Sequence, residues 1–193
     1  MAKISPITQR IIDLDPTLEL HNEGEWSGTQ SLFSAFNDAG VECEVGEFLY
    51  SITRLLKPAN VLETGTHHGV GAMYIGHALK DNDKGVVDTH EFNPVNLDTA
   101  RRHIQAQALT ESVKVLNTDV TKLVPNTTYQ LIFLDTEPQL RFDELERFYY
   151  YLDEGGFIFI HDLHRHMHQL PNTDHGFAWP YGCLLYTSDA ADE

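Results

Sequence analysis

Short apolar segments that alternate with amphipathic helices constrain the fold of this 193-residue chain more than any other feature. Apolar runs separated by helices indicate parallel strands that are buried on both faces of a sheet. The pattern therefore predicts an α/β fold, doubly wound around a mostly parallel sheet. The predicted strands are Asn60–Thr64, Gly85–His90, Val113–Asn117, Gln130–Leu134 and Phe157–His161, and helices are predicted near Val70–Leu79, Pro94–Leu109 and Leu140–Tyr151.

The chain is long enough for one globular domain, and its patterns divide it into three segments. Residues 1–41 carry apolar patches without a lasting period, so we expect an N-terminal arm or a cap over a substrate. A helical pattern begins at Glu42, and residues 42–182 form the predicted main domain. Residues 183–193 do not resemble the rest of the chain.

Composition limits the partners. The formal charge of −16 would repel phosphate backbones and anionic membranes, so we expect neither a nucleic acid nor a membrane as partner. A small molecule or another protein, such as a second copy of the chain in a homodimer, fits better. With two cysteines, Cys43 and Cys183, and an N-terminal segment that lacks a secretory pattern, the chain is expected in the cytoplasm.

The turn after the first predicted strand, within VLETGTHHGVG, is glycine-rich and is followed by a helix. Gly65, Gly69 and Gly71 allow the main chain to approach a ligand closely. A dinucleotide-binding dehydrogenase would place a glycine where His67 stands, which disfavours a pyrophosphate. Glu63, just before the turn, suits a ligand with a cationic amine instead.

Two further acids follow the next strands. Glu91 closes the second strand, where a ribose would present its hydroxyls, and Asp119 follows the third strand, near an adenine amino group. Such a ligand is S-adenosylmethionine. In order, VLETGTHHGVG, VVDTHE, VLNTDV, LIFLDTEP and GGFIFIHD resemble the motifs of class I S-adenosylmethionine-dependent methyltransferases, and the resemblance extends from Glu42 to His164.

The resemblance implies a Rossmann-like methyltransferase fold and S-adenosylmethionine as the cofactor. It places Glu63 and Gly65 at the methionine end, Glu91 at the ribose diol, and Asp119 or Val120 at the adenine. The full set of implied cofactor contacts is Glu63, Gly65, Thr66, His67, Gly69, Glu91, Asp119, Val120 and Asp135.

Asp135, His161 and Asp162 follow the fourth and fifth strands, whose ends lie side by side in such a sheet. Two carboxylates and an imidazole there could bind one cation. This resembles metal-dependent O-methyltransferases of the catechol type and the cephalosporin hydroxylase-like group. Pro138 and Leu163 replace the lysine and asparagine of the catechol pattern, which argues against a catechol. Alternatively, Asp162 caps a loop and His161 packs in the core.

The identity of the metal depends on the third ligand. Glu137 would complete an all-oxygen site that favours magnesium, whereas His161 would shift the preference towards manganese, iron or zinc. In the histidine-rich segment HDLHRHMHQ, His164 is the preferred general base, with Asp135 as the second catalytic candidate.

The function predicted from these motifs is methyl transfer from S-adenosylmethionine to an oxygen of a small molecule, assisted by Mg²⁺ or Mn²⁺. Three alternatives remain open. The first is a hydroxylase-like relative that uses redox-active iron. The second is a cofactor-binding fragment without catalysis. The third, a dehydrogenase, is disfavoured by His67.

The last residues, CLLYTSDAADE, resemble the translation of a sequencing adapter. If residues from Cys183 onward are not native, the chain is expected to lack the final helix and β-hairpin of the fold that it resembles. The fifth predicted strand would then be an exposed edge, and the fragment would be marginally stable.

Overall fold

A six-stranded sheet forms the centre of the protein, in a computed structural model that describes residues 4–22, 34–36, 40–161 and 184–187. In chain order the helices and strands are α1 (Pro6–Leu14), β1 (Leu20–Asn22), β2 (Ser34–Phe36), α2 (Cys43–Leu56), β3 (Asn60–Thr64), α3 (Val70–Asp81), β4 (Val86–Glu91), α4 (Pro94–Ala106), β5 (Val113–Asn117), β6 (Tyr129–Leu134), α5 (Arg141–Phe148), β7 (Leu152–Ile160) and β8 (Leu184–Thr187).

The central sheet has the strand order β5-β4-β3-β6-β7-β8. The five strands from β5 to β7 run parallel to one another, and β8 is antiparallel to β7. The direction of winding reverses between β3 and β6, and ligands of such sheets bind beyond the carboxyl ends of the strands at this reversal. The predicted doubly wound α/β fold is confirmed.

Both faces of the sheet are buried, as the apolar strands require. Val61, Leu131 and Phe133 belong to one core cluster, which also contains residues of α1, α2, α3 and α4. Leu62 and Ile132 belong to a second cluster on the other face, together with α5. The helices on both faces hold the strand ends, and therefore the loops of the site, in fixed positions.

The N-terminal segment contains a helix that periodicity did not predict. Ser5 caps α1 by accepting a hydrogen bond from the main-chain N–H of Thr8 (3.3 Å), and Pro6 occupies its first position. Ile7 and Ile11 then reach the core. The helix has nine residues, too few for a convincing period, and its start signal was the Ser-Pro pair. Residues 23–33 and 37–39 lie outside the described residues.

The expectation of an exposed edge at the fifth predicted strand, which is β7, is wrong. The backbone of β8 pairs with β7 from Leu184, opposite Ile160, to Thr187, opposite Phe157. An edge strand presents unpaired N–H and C=O groups, and the sequence Leu-Leu-Tyr-Thr suits an extended partner. The chain therefore has one antiparallel strand at the place where we expected none. The expectation that the final helix is lacking concerns residues 162–183 and 188–193, which lie outside the described residues.

Within the described ranges, no helix is long and apolar enough to cross a membrane. The cytoplasmic location stays a prediction.

Candidate cofactor and acceptor site

The glycine-rich turn between β3 and α3 contacts the ends of both neighbouring strands. The main-chain N–H groups of Gly65 and Thr66 both donate to the carbonyl oxygen of His90 at 3.1 Å. Gly65 has φ +79°, and a Cβ at this position would collide with the carbonyl oxygen of Asp135. Glycine is required here because both its conformation and this close approach exclude a side chain. Two predicted parts of the site, the turn and the end of β6, are thus in contact.

The two turn histidines are half-buried, and their rings stack with centroids 3.9 Å apart. His67 adopts the left-handed region, with φ 48°, and Nδ1 of its ring has no hydrogen-bond partner among the described residues. Burial lowers the pKa of His68, and the neighbouring His67 lowers it further. The ring of His68 thus packs against the ring of His67 within the turn.

Glu91 is fixed at the end of β4 by two main-chain donors. Its Oε2 accepts from the N–H of His67 and its Oε1 from the N–H of Asn93, both at 2.8 Å. The residue is 6% exposed. Each carboxylate oxygen retains a further lone pair. The group can therefore accept from two adjacent hydroxyls of a ligand.

Glu63 is buried beneath the same turn. The hydroxyl of Thr89 donates to its Oε2 at 2.5 Å, and the hydroxyls of Thr89 and Thr66 lie 2.5 Å apart. A Cβ at Gly71 would collide with Oε1 of Glu63, so this glycine makes room for the carboxyl group. Burial raises the pKa of Glu63 to about 8, and the neighbouring Asp135 also raises it. A cationic ligand group would stabilise the ionised form.

Asp119 and Val120, the predicted adenine contacts, form the beginning of a short 3₁₀ turn after β5. The carboxylate of Asp119 accepts from the hydroxyl of Thr121 (2.6 Å) and its main-chain N–H (3.0 Å), and it pairs with Lys122 at 2.9 Å. These bonds, led by the Thr121 hydroxyl, lower the pKa of Asp119 to about 2. Its carboxylate thus stabilises the turn, whereas Val120 is buried.

Asp135 and His161 are brought together at the ends of β6 and β7. Nδ1 of His161 lies 2.8 Å from Oδ1 of Asp135, and Nε2 lies 2.8 Å from Oε2 of Glu42. Arg141 donates from Nη2 to the same Oδ1 of Asp135 at 3.1 Å and from Nη1 to the carbonyl oxygen of His161. The side chains of this network are 4–13% exposed.

Asp135 and His161, two of the predicted metal ligands, therefore have other partners. Both ring nitrogens of His161 face carboxylates, and the part of the chain that the structure describes contains no group of three His, Cys, Asp or Glu residues arranged to hold a metal. Asp162, the third predicted ligand, lies outside the described residues, as does the predicted base His164.

Sequence reasoning missed four residues of this region. Thr89 could have been found from strand alternation, because it shares a face of β4 with Glu91. Glu144 is buried on α5, where it accepts from the hydroxyls of Thr64 (3.0 Å) and Thr136 (2.8 Å), and burial raises its pKa to about 7. No local signal pointed to the other two, Glu42 and Arg141.

A family model described as a methyltransferase domain matches residues 62–163, which is more than half of the chain. The chain belongs to this methyltransferase family. The matched range begins in β3 and includes the glycine-rich turn, Glu91 and the ends of β6 and β7. The resemblance stated from the sequence motifs is thereby confirmed.

Known proteins similar to this methyltransferase chain include O-methyltransferases. A catechol O-methyltransferase from Niastella koreensis is 27% identical over 118 residues, which cover 58% of this chain and 52% of that protein. A putative O-methyltransferase from Klebsiella pneumoniae has the same fold, with a TM-score of 0.61, 19% identity and coverage of 83% of this chain and 67% of that one. An O-methyltransferase from Bacillus cereus was solved in complex with S-adenosylhomocysteine (SAH). It gives a TM-score of 0.59 and 22% identity, and the match covers 65% of this chain and 59% of that one. The chain thus spans about half the length of its curated relative.

Proposed function

We propose that this chain transfers the methyl group of S-adenosylmethionine to an oxygen atom of a small-molecule acceptor. The observation that carries the proposal is a pair of buried acids, Glu63 and Glu91, on one face of two adjacent strands beside the glycine-rich turn. The relatives support the proposal, since they are described as O-methyltransferases and one of them was solved with SAH.

The residues at the turn fit this cofactor. Glu63 is a buried acid whose charged neighbour, Asp135, is also an acid, so an ammonium group of a ligand would compensate its charge. Glu91 presents two fixed carboxylate oxygens, which suit the two hydroxyls of a ribose. Gly65 and Gly69 both adopt a positive φ, which allows the main chain to turn tightly beside these two acids.

When bound, S-adenosylmethionine supplies a methyl group on a positively charged sulfur. In methyl transfer a carbon–oxygen bond to the acceptor forms as the carbon–sulfur bond breaks, and the acceptor hydroxyl releases a proton. Glu63 would hold the amine of the cofactor and Glu91 its ribose, at the same edge of the sheet as the end of β6. There Asp135, with a side chain 13% exposed, accepts the proton of the hydroxyl. Among the described residues, no hydrogen bond reaches its Oδ2.

The divalent cation expected from the sequence does not fit the atoms at the end of β6. His161 has no ring nitrogen left for a metal, and Oδ1 of Asp135 is shared between His161 and Arg141. No catalytic step is therefore assigned to a metal.

Replacing Glu91 with Gln tests the cofactor site. The substitution keeps the size of the side chain but removes its charge and one acceptor oxygen. Hydrogen bonds to charged groups contribute about 1.5–3 kcal/mol, so we expect SAH to bind roughly 10- to 100-fold more weakly, as measured by isothermal titration calorimetry.

The exposed Glu111 offers a matched control, because Glu111→Gln removes the same charge far from the turn and should leave SAH binding unchanged. Circular dichroism establishes that each variant is folded. A folded wild-type chain that does not bind SAH would refute the proposed function, as would equal binding by Glu91→Gln.

A further inference from the structure

A buried network of four side chains lies where the sequence predicts metal ligands. Glu42, at the start of α2, is joined to His161, His161 to Asp135, and Asp135 to Arg141 at the start of α5. The carboxylates of Glu42 and Asp135 each lie 2.8 Å from a different ring nitrogen of the one imidazole. Four separate elements of the chain thus converge on this point.

The hydrogen bonds occupy three atoms that a metal could use, namely both ring nitrogens of His161 and Oδ1 of Asp135. A carboxylate can only accept, so a ring nitrogen that faces one is satisfied by carrying the proton itself. His161 faces a carboxylate on both sides, which leaves neither nitrogen with a lone pair directed at a cation. Oδ1 of Asp135 already accepts from His161 and from Arg141.

Among the described side chains, the charges of the network also balance without a metal. Glu42 and Asp135 contribute two negative charges, Arg141 contributes one positive charge, and a His161 that donates to both carboxylates contributes another. The side chains of Glu42, His161 and Arg141 are each 4% exposed. Charges removed from water require compensation, and a divalent cation added to a balanced group would itself be uncompensated.

We propose that Arg141 and His161 occupy the place of a divalent cation beside Asp135, so that this methyltransferase needs no metal. The inference rests on the proposed function. Arg141 and Glu42 act as positioning residues. Arg141 donates to the carbonyl oxygens of Thr136 (2.8 Å) and His161, and Glu42 fixes the far side of the imidazole. Asp135 is held with Oδ2 available for the acceptor.

Manganese binding to the full chain, followed by electron paramagnetic resonance with and without SAH, tests the proposal. We expect the wild type to bind no Mn²⁺ below about 1 mM. Arg141→Gln removes one positive charge beside two buried acids, so this variant should gain Mn²⁺ affinity by about tenfold or more. Arg141→Lys keeps the charge and should not gain it. Arg102→Gln, at an exposed site on α4, is the matched control and should behave as the wild type.

Mn²⁺ binding by the wild type that Asp135→Asn abolishes would overturn the proposal and restore the metal site expected from the sequence. A folded Arg141→Gln variant without any gain would also contradict it. If Arg141→Gln does not fold, the wild-type titration decides alone. SAH binding in metal-free buffer is read in the same samples, so failure of the proposed function shows as lost SAH binding and is distinct from the Mn²⁺ result.

Discussion

At Gly65 the turn after β3 packs against the carbonyl group of Asp135. Gly65→Ala would add a Cβ that collides with this carbonyl, in a backbone region, φ +79°, that L-residues avoid. Because neither strand end can move without disturbing the core, we expect a loss of about 3 kcal/mol or more in the free energy of unfolding, measured with urea.

Gly155, in β7, is a control that separates the effect of the collision from the effect of the strained φ. It also has a positive φ, +73°, but a Cβ there would meet no atom within 4 Å. Gly155→Ala should therefore cost only the conformational strain, about 1–2 kcal/mol. Equal losses in the two variants would show that the contact between the turn and Asp135 is not tight.

Whether a site residue could be predicted depended on how local its signal was. Glu63 and Glu91 were found from the sequence because each stands beside a strand end that the apolar pattern reveals. Glu42 and His161 are 119 residues apart, and no spacing rule relates them. Their pairing follows from the packing of α2 beside β7, which only the folded chain shows.

The packing of α2 against α3 depends on one small residue. Gly46 lies in the middle of α2, and a Cβ at this position would overlap the ring of Tyr74 on α3. Helix propensity alone predicts that Gly46→Ala stabilises the protein by about 1 kcal/mol. Because the fully buried Tyr74 ring has no room to move, we expect a net loss of about 1–3 kcal/mol instead.

Ser51→Ala, on the exposed side of the same helix, is the control. It should change the free energy of unfolding by no more than about 0.5 kcal/mol. A stabilised Gly46→Ala variant would mean that α2 and α3 can separate without cost. Urea denaturation monitored by circular dichroism measures both variants.

At the scale of elements, strand and helix positions in residues 42–161 were predictable because long apolar and amphipathic patterns specify them. β3 and β5 begin and end where predicted, whereas β7 begins at Leu152 rather than Phe157. The pairing of β6 with β7 shifts register after Tyr129, which lies opposite Leu152 at the start of β7. An irregularity of this kind does not produce a periodic pattern in the sequence, so it could not be predicted. The helix α1 and the edge strand β8 are short and depend on tertiary contacts, so the apolar pattern of the sequence does not predict them.

At the scale of the whole molecule, two buried carboxyl groups among the described residues prefer to be neutral. Burial raises the pKa of Glu63 to about 8 and that of Glu144 to about 7, from an ordinary value of 4.5. The two lie on opposite faces of the sheet, Glu63 with α3 and Glu144 on α5. The net negative charge of the chain makes ionisation of either group still less favourable.

These two groups set the pH dependence of stability. Between pH 4.5 and about 8 the folded chain holds protons that the unfolded chain has already released, so the free energy of unfolding should decrease as the pH rises through this window. As far as these two groups decide it, stability is thus highest below about pH 4.5. We expect a loss on the order of a few kcal/mol between pH 5 and pH 8 in urea denaturation of the wild type.

Glu63→Gln and Glu144→Gln should each remove part of this decrease of stability with pH, since an amide does not titrate. The exposed Glu111→Gln should keep all of it. If both buried variants retain the full slope, other groups control the stability, and the buried acids are ionised in the folded chain across this range.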